Sequence, residues 1–313
     1  MSDALFLLAG LAVLTFSADR FVEGAAGVST LLNVPIVVVG AVVIGFGTSA
    51  PELLVSALAS IDGRQDIAIG NIVGSNMANL TLVAGAAAAF AILPITLRIW
   101  QREIRLMLFA VGLLALVSFD LRIQNFEAIG LLVAAVVCIG LITWWAIEDR
   151  RAGRDDLSDE VASYVQDLTM RRAWTLTGLG LLGTLGGAQM LVTGAAGLAT
   201  TLGVPEAVIG LTIVAVGTSL PELVTAVAAA RRNERDLIVG NVVGSNIFNS
   251  LPVAGIAGLL DTTPLDGQLT LSLGLMIGVC ILFAIFARRG FQIERTEGLV
   301  LLGAFVAATV LTF

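Results

Sequence analysis

The sequence contains no histidine and no lysine, and its two cysteines, Cys138 and Cys280, lie far apart inside apolar runs. Without histidine there is no Ser-His-Asp triad, no His-ligated zinc or haem, and no imidazole proton relay. Two separated cysteines cannot build an iron–sulfur cluster or a four-cysteine zinc site, and they read as small apolar residues. Charge is scarce as well: Asp, Glu and Arg make up 13% of the chain, where a soluble domain carries roughly 25%. The net charge of −7 and a pI near 4.6 argue against nucleic acid as a partner.

Apolar residues fill the space that charge leaves. They form 57% of the 313 residues, and the mean hydropathy is +0.97, so most of the chain cannot face water. A bilayer-spanning helix needs about 20 apolar residues. Ten such runs can be drawn, at 4–32, 34–60, 66–93, 103–119, 125–147, 173–202, 204–230, 236–260, 268–287 and 297–313. The first run, Leu5 to Phe16, follows the acidic Met1-Ser2-Asp3 and precedes no small-residue cleavage site, so it reads as a membrane helix and not as a signal peptide. The expected fold class is an all-α polytopic membrane protein with ten transmembrane helices. The 34 glycines suit membrane helices that approach closely or break.

The longest polar stretch, 148–172, lies near the centre and reads as a solvated linker. Within it Leu157, Val161, Tyr164 and Leu168 recur at helical spacing, predicting a short surface helix. Fourteen of the 17 arginines belong to the odd-numbered inter-helix loops, against Arg20, Arg64 and Arg122 elsewhere. The positive-inside rule then places the linker in the cytoplasm and both termini outside the cell membrane.

The chain also repeats itself. Residues 45–85 align without gaps on 215–255, an offset of 170, with 18 of 41 positions identical. The match reaches upstream, Gly24 to Gly27 onto Gly194 to Gly197 and Val34-Pro35 onto Val204-Pro205. The expected organisation is a first five-helix repeat (1–147), the linker (148–172) and a second five-helix repeat (173–313). Five spans per copy invert the second relative to the first, the architecture of alternating-access transporters with a site at the midplane.

The repeated residues carry the chemistry. Gly47-Thr48-Ser49-Ala50-Pro51-Glu52 and Gly217-Thr218-Ser219-Leu220-Pro221-Glu222 fall within apolar runs. Proline there lacks an N–H and clashes with the preceding turn, so the helix should break and release carbonyls. Thr48 and Glu52 are four residues apart and Ser49 and Glu52 three, which predicts hydroxyls and carboxylate on one helical face. The next run repeats Gly-Asn-x-Val-Gly-Ser-Asn, with Ser75 and Asn79 in one copy and Ser245 and Asn249 in the other. If the four segments converge, they make an all-oxygen cavity suited to hard cations, Ca2+ or Na+. Two glutamates at membrane depth cost about 5–7 kcal/mol on insertion scales, which argues for function over a structural polar cluster. Their two negative charges balance one Ca2+ or two Na+, and a third Na+ would leave the site positive.

Other polar residues have plainer readings. Asp66 and Asp236 are expected to cap their helices, Asn71, Asn76, Asn241 and Asn246 to orient the broken backbone, and Asp19, Arg20 and Glu23 to pair locally.

The paired motifs, GTS-x-PE followed by GN-x-VGSN, resemble the alpha repeats of the cation/calcium antiporter superfamily, most closely its prokaryotic sodium/calcium exchanger branch. The resemblance implies two inverted five-helix repeats around a four-helix core, with runs 4–32 and 173–202 as long tilted helices that slide across it. It implies exchange of about three Na+ for one Ca2+ by alternating access. By position the ligands would be Glu52, Glu222, Thr48, Thr218, Ser49, Ser219, Ser75, Ser245, Asn79, Asn249 and the carbonyls of Gly45 and Ala215. Some family members carry Asp at the place of Asn249, associated there with protonation or potassium co-transport. The proton-coupled branch typically has Glu-His after its Gly-Asn signature, where this chain has Gly74-Ser75, which favours sodium coupling.

The reading is therefore a Na+/Ca2+ antiporter, a transporter and not an enzyme, with Ca2+ and Na+ as substrates, the lipid bilayer as surroundings, no cofactor and no obligate protein partner. The alternative is a Ca2+/H+, or other divalent cation/H+, antiporter. An intramembrane glutamyl protease and a channel are further, weaker readings of the buried glutamates.

Overall fold

The computed structural model describes residues 2–32, 34, 39–152, 168–202 and 215–312. In chain order the helices are α1 (Ser2–Leu32), α2 (Phe46–Thr48), α3 (Ala50–Ile61), α4 (Gln65–Ala78), α5 (Ala84–Phe90), α6 (Leu97–Ile99), α7 (Arg105–Val117) and α8 (Asn125–Arg151). They continue as α9 (Met170–Thr201), α10 (Ala215–Thr218), α11 (Leu220–Arg231), α12 (Arg235–Phe248), α13 (Ala254–Leu260), α14 (Leu269–Arg288) and α15 (Arg295–Thr312). Helix thus occupies each of the ten expected intervals. Among the described residues six stretches qualify as membrane spans by length and apolar composition, or seven if the bent pair over 41–61 is counted as one span. Leu, Phe, Val and Ile side chains stand exposed along α1, α8, α14 and α15. Apolar surface of that extent belongs against lipid.

α1 and α9, free of proline, form the longest helices and pack along their whole length. Leu7 faces Gly194, Gly10 faces Leu191, Leu14 faces Gly187, Phe21 faces Gly180 and Gly24 faces Thr177. Each pair of numbers totals 201, so the two helices run antiparallel. A methyl group added at Gly10, Gly24, Gly180, Gly187 or Gly194 would fall on the partner's backbone. Part of the high glycine content therefore serves one seam, as close-packed membrane helices require.

Elements 170 residues apart are alike down to their irregularities. Each copy breaks at a serine before proline, restarts as a 12-residue helix (α3, α11), and then forms a 14-residue helix (α4, α12). That helix runs into a π-helical turn, Asn79–Val83 or Asn249–Val253. Contacts between copies are reciprocal. Ile95 N–H donates to Phe291 O at 2.8 Å and Leu265 N–H to Leu121 O at 2.6 Å, and both acceptors have left-handed backbone, φ 53° and 58°. Gly298 on α15 lies against Gly85 and Ala88 on α5, as Ala128 on α8 lies against Gly255 and Gly258 on α13. A two-stranded antiparallel ladder, β1 (Leu93–Pro94) with β2 (Gln292–Ile293), ties the two halves.

Of the expected linker helix, Leu157, Val161 and Tyr164 lie outside the described residues, as do Pro35, Val204 and Pro205, while Leu168 is not helical. The polar stretch begins inside α8, which runs on to Arg151. Asp66 and Asp236 are not caps: the capping positions fall on Arg64 and Glu234, and both aspartates sit in the first turn. Asp66 instead accepts the backbone N–H of Asp266 at 2.7 Å. An acid in the first turn still meets the positive end of the helix dipole, which explains its place without a cap.

Candidate cation site between the repeats

The break in each copy falls at the serine. Ser49 (φ −82°, ψ 10°) and Ser219 (φ −90°, ψ 4°) leave helical geometry, and the chain bends by 47° between α2 and α3. Pro51 and Pro221 then occupy the first turn of the restarted helix, where a missing N–H has no cost. This places Glu52 and Glu222 at the third position of α3 and α11. There the unpaired N–H groups of a helix start favour negative charge. The break serves the carboxylates, therefore, and not only the carbonyls.

Both carboxylates are buried, each 1% exposed. Among the described residues no arginine lies within ion-pair distance of either. The two lie within electrostatic reach of one another. Ser49 does not pair with Glu52 on its own helix. Its hydroxyl donates to Glu222 Oε1 at 3.0 Å, across the two copies. Spacing along one helix pairs Ser49 with Glu52; its hydrogen bond instead crosses to the other copy, from a residue whose backbone is not helical. The Thr48 hydroxyl donates to Ile44 O at 2.9 Å and lies 3.4 Å from Asn241 Oδ1. Ser75 stands against Glu52.

The Gly45 carbonyl, expected to be released, accepts the Ser49 N–H at 3.2 Å and the Ser245 hydroxyl at 3.1 Å. Gly45 belongs to a π-helical turn, Gly40–Gly45, packed on α12. A Cβ at Gly45 would come within 2.9 Å of Ser245 N, and one at Gly244 would fall on Ala41. Glycine at both places lets the two backbones touch. Ala215 opens the described part of α10, with Thr218 at its half-buried end. Asn79 and Asn249 each begin a π-helical turn; the first turn packs on α11 and the second on α3. π-turns recur at functional sites because they re-aim a side chain within a helix.

Several buried polar atoms here lack a hydrogen-bond partner: Glu52 Oε2, Glu222 Oε2, Ser219 Oγ and both polar atoms of Asn79 and Asn249. One such atom costs about 1–3 kcal/mol. Orphans converging from both copies, rich in oxygen and with two negative charges, suit a guest cation far better than a closed polar cluster. The other asparagines play supporting parts. Asn71 donates to Ser56 Oγ at 3.0 Å and to Glu52 O at 3.4 Å, Asn76 donates to Ser250 Oγ at 2.9 Å, and Asn246 donates to Val242 O at 2.7 Å. Asn241 Oδ1 differs in facing two hydroxyls of the site, Thr48 and Ser245.

One contact between distant parts of the chain has no signature in the local sequence. Arg20 and Glu23 do pair locally, at 2.8 Å. Asp19 instead takes a two-pronged pair from Arg232, at 2.7 Å on each arm, and Arg232 reaches Glu23 at 3.2 Å. The pair joins α1 to the end of α11, 213 residues away in sequence. No local pattern signals it.

Comparison with known proteins gives a consistent outcome. The family model described as "Sodium/calcium exchanger protein" matches residues 2–144 and 172–313. The inner membrane protein YrbG of Escherichia coli is 34% identical over 303 residues, covering 96% of this chain and 93% of that protein. The sodium/calcium exchanger MaX1 of Methanosarcina acetivorans is 32% identical over 343 residues, covering 99% and 98%. The structure of the sodium-calcium exchanger NCX_Mj soaked with 10 mM Na+ and 10 mM Sr2+ superposes with a TM-score of 0.86 at 29% identity, covering 99% of this chain and 98% of that one.

Proposed function

Since the chain belongs to the sodium/calcium exchanger protein family, we propose that it is a membrane antiporter that moves Na+ and Ca2+ in opposite directions through the site between α3, α4, α11 and α12. The observation that carries this reading is the pair of buried carboxylates, Glu52 and Glu222, with no arginine beside them among the described residues and a hydroxyl bridge from Ser49 joining the copies. Ca2+ neutralises that pair outright. Ligands come from Thr48, Ser49, Ser75, Asn79 and Gly45 O in one copy and Thr218, Ser219, Ser245, Asn249 and Ala215 O in the other.

About three Na+ replace one Ca2+, which leaves one net positive charge to move per cycle and makes exchange electrogenic. Access alternates as α1 and α9 slide together over the core. Their antiparallel glycine seam supports movement as one unit, and the reciprocal contacts 170 residues apart support two inverted five-helix repeats, 1–147 and 173–313. The arginine distribution supports a cytoplasmic linker at 148–172 and both termini outside.

The test is flux in proteoliposomes. Na+-loaded vesicles placed in Na+-free buffer should accumulate radioactive Ca2+, faster when the interior is held positive. Uptake that follows an imposed pH gradient and ignores Na+ would instead establish the Ca2+/H+ alternative.

A further inference from the structure

The Arg-rich rim of the molecule divides into two kinds of arginine. Arg102 is neutralised by Asp149 at 2.7 Å and Glu148 at 3.4 Å, and Arg98 by Asp149 at 3.7 Å. Arg105, at the start of α7, and Arg288, at the end of α14, are both exposed and have no hydrogen bond or ion pair among the described residues. They converge on one aromatic ring: each guanidinium lies 5.3 Å from the centre of Trp100, and Arg288 lies 4.7 Å from that of Phe291. The ring is itself pinned, its Nε1–H donating to Ala284 O at 3.2 Å.

Stacking occupies the faces of a guanidinium and leaves its edge N–H donors open. Two such forks held beside one ring match the oxygens of a phosphate. Arg289 adds a third exposed cation next to Arg288. Nearby acids among the described residues are engaged elsewhere or turned inward. Glu294 accepts from Gln292 at 3.1 Å, Glu297 accepts the Glu294 N–H at 2.9 Å, and Glu103 is buried.

The surroundings say which phosphate. One turn into the membrane from Arg105 stands the exposed Phe109, and one and two turns from Arg288 stand the exposed Ile285 and Ile281. Each unpaired arginine therefore heads an apolar stripe on its own helix, and α7 packs on α14. A cationic clamp above two apolar stripes, with tryptophan at the boundary, has the shape of a phospholipid: headgroup above, acyl chains below.

We propose that Arg105 and Arg288, oriented by Trp100, bind the headgroup phosphate of an anionic phospholipid. This site is separate from the cation path and holds whichever ions cross. An arginine at an anionic membrane surface favours binding by about fivefold, so the two together give about 25-fold preference over a zwitterionic lipid.

Native mass spectrometry of the full chain in detergent tests this, with phosphatidylglycerol or phosphatidylcholine of equal chain length added. The wild type should retain one phosphatidylglycerol, and the double variant Arg105→Gln/Arg288→Gln should lose that preference. Arg122→Gln, in the loop before α8, should keep it. A second measurement needs no variant: phosphatidylglycerol should raise the thermal midpoint of the wild type above that in phosphatidylcholine alone. Equal retention by the double variant overturns the proposal. So does displacement of the lipid by inorganic phosphate at equal concentration, which would mark a site for free anions. A wild type with no preference in either measurement also overturns it.

Discussion

Ser49 Oγ donates to Glu222 Oε1 at 3.0 Å, joining the broken span of one copy to the carboxylate of the other. In the proposed site each copy supplies half of the ligands, and this bond joins the two halves. A hydrogen bond to a charged group contributes about 1.5–3 kcal/mol. Ser49→Ala should therefore weaken apparent Ca2+ affinity by about 10- to 100-fold while leaving the fold intact. A Ca2+ titration of exchange rate checks this, and an unchanged half-saturation would show the bond to be incidental.

The glycine seam gives a prediction about packing. Gly187→Val would drive a side chain into the backbone at Leu14, whereas Gly186, one residue away, has nothing within 4 Å of an added Cβ among the described residues. Overpacking costs about 1–3 kcal/mol. The Gly187 variant should lose several degrees of thermal midpoint in detergent and most of its transport. Gly186→Val should lose neither.

Arg232 holds Asp19 and Glu23 on α1 from the end of α11. If α1 slides over the core during exchange, this pair forms on one side of the cycle and must break on the other. Arg232→Gln should then change the ratio of forward to reverse Ca2+ flux by about two- to tenfold, in keeping with a partly exposed two-pronged pair. The charge swap Asp19→Arg/Arg232→Asp should return the ratio toward wild type. Equal loss in both directions, without rescue, would mark a purely structural tie.

Asn249 is fully buried, with both polar atoms unpartnered. Asn249→Asp would add a third carboxylate to a site that already holds two, and repulsion among them would keep it protonated at low pH. Na+ half-saturation of the variant should depend on pH more steeply than that of the wild type. Parallel pH profiles of Na+ half-saturation for the two proteins would contradict this.

How far the sequence reveals the candidate site depends on the distance over which each feature acts. Glu52 and Glu222 were legible because charge in an apolar run is conspicuous by itself, and the 170-residue repeat marked the Ser and Asn positions around them. The partner of Ser49 was not legible, since helical spacing describes only a residue's own helix and the bond crosses 173 positions. The same holds for Arg232 and Asp19. The π-turns at Asn79 and Asn249 change hydrogen bonding and not composition; Pro252 marks the second, but Leu82 stands at that place in the first. The glycines of α1 and α9 are only an abundance in the sequence; their facing pairs in the structure give the direction of packing.

The most direct test of the central claim removes one charge at a time without changing shape. Proteoliposomes carrying wild type, Glu52→Gln or Glu222→Gln are loaded with Na+ and diluted into Na+-free buffer with radioactive Ca2+. The wild type should accumulate Ca2+, and each variant, correctly folded by size-exclusion chromatography, should fall to the background of empty vesicles. Wild-type uptake in either variant would contradict a cation site built jointly by the two copies.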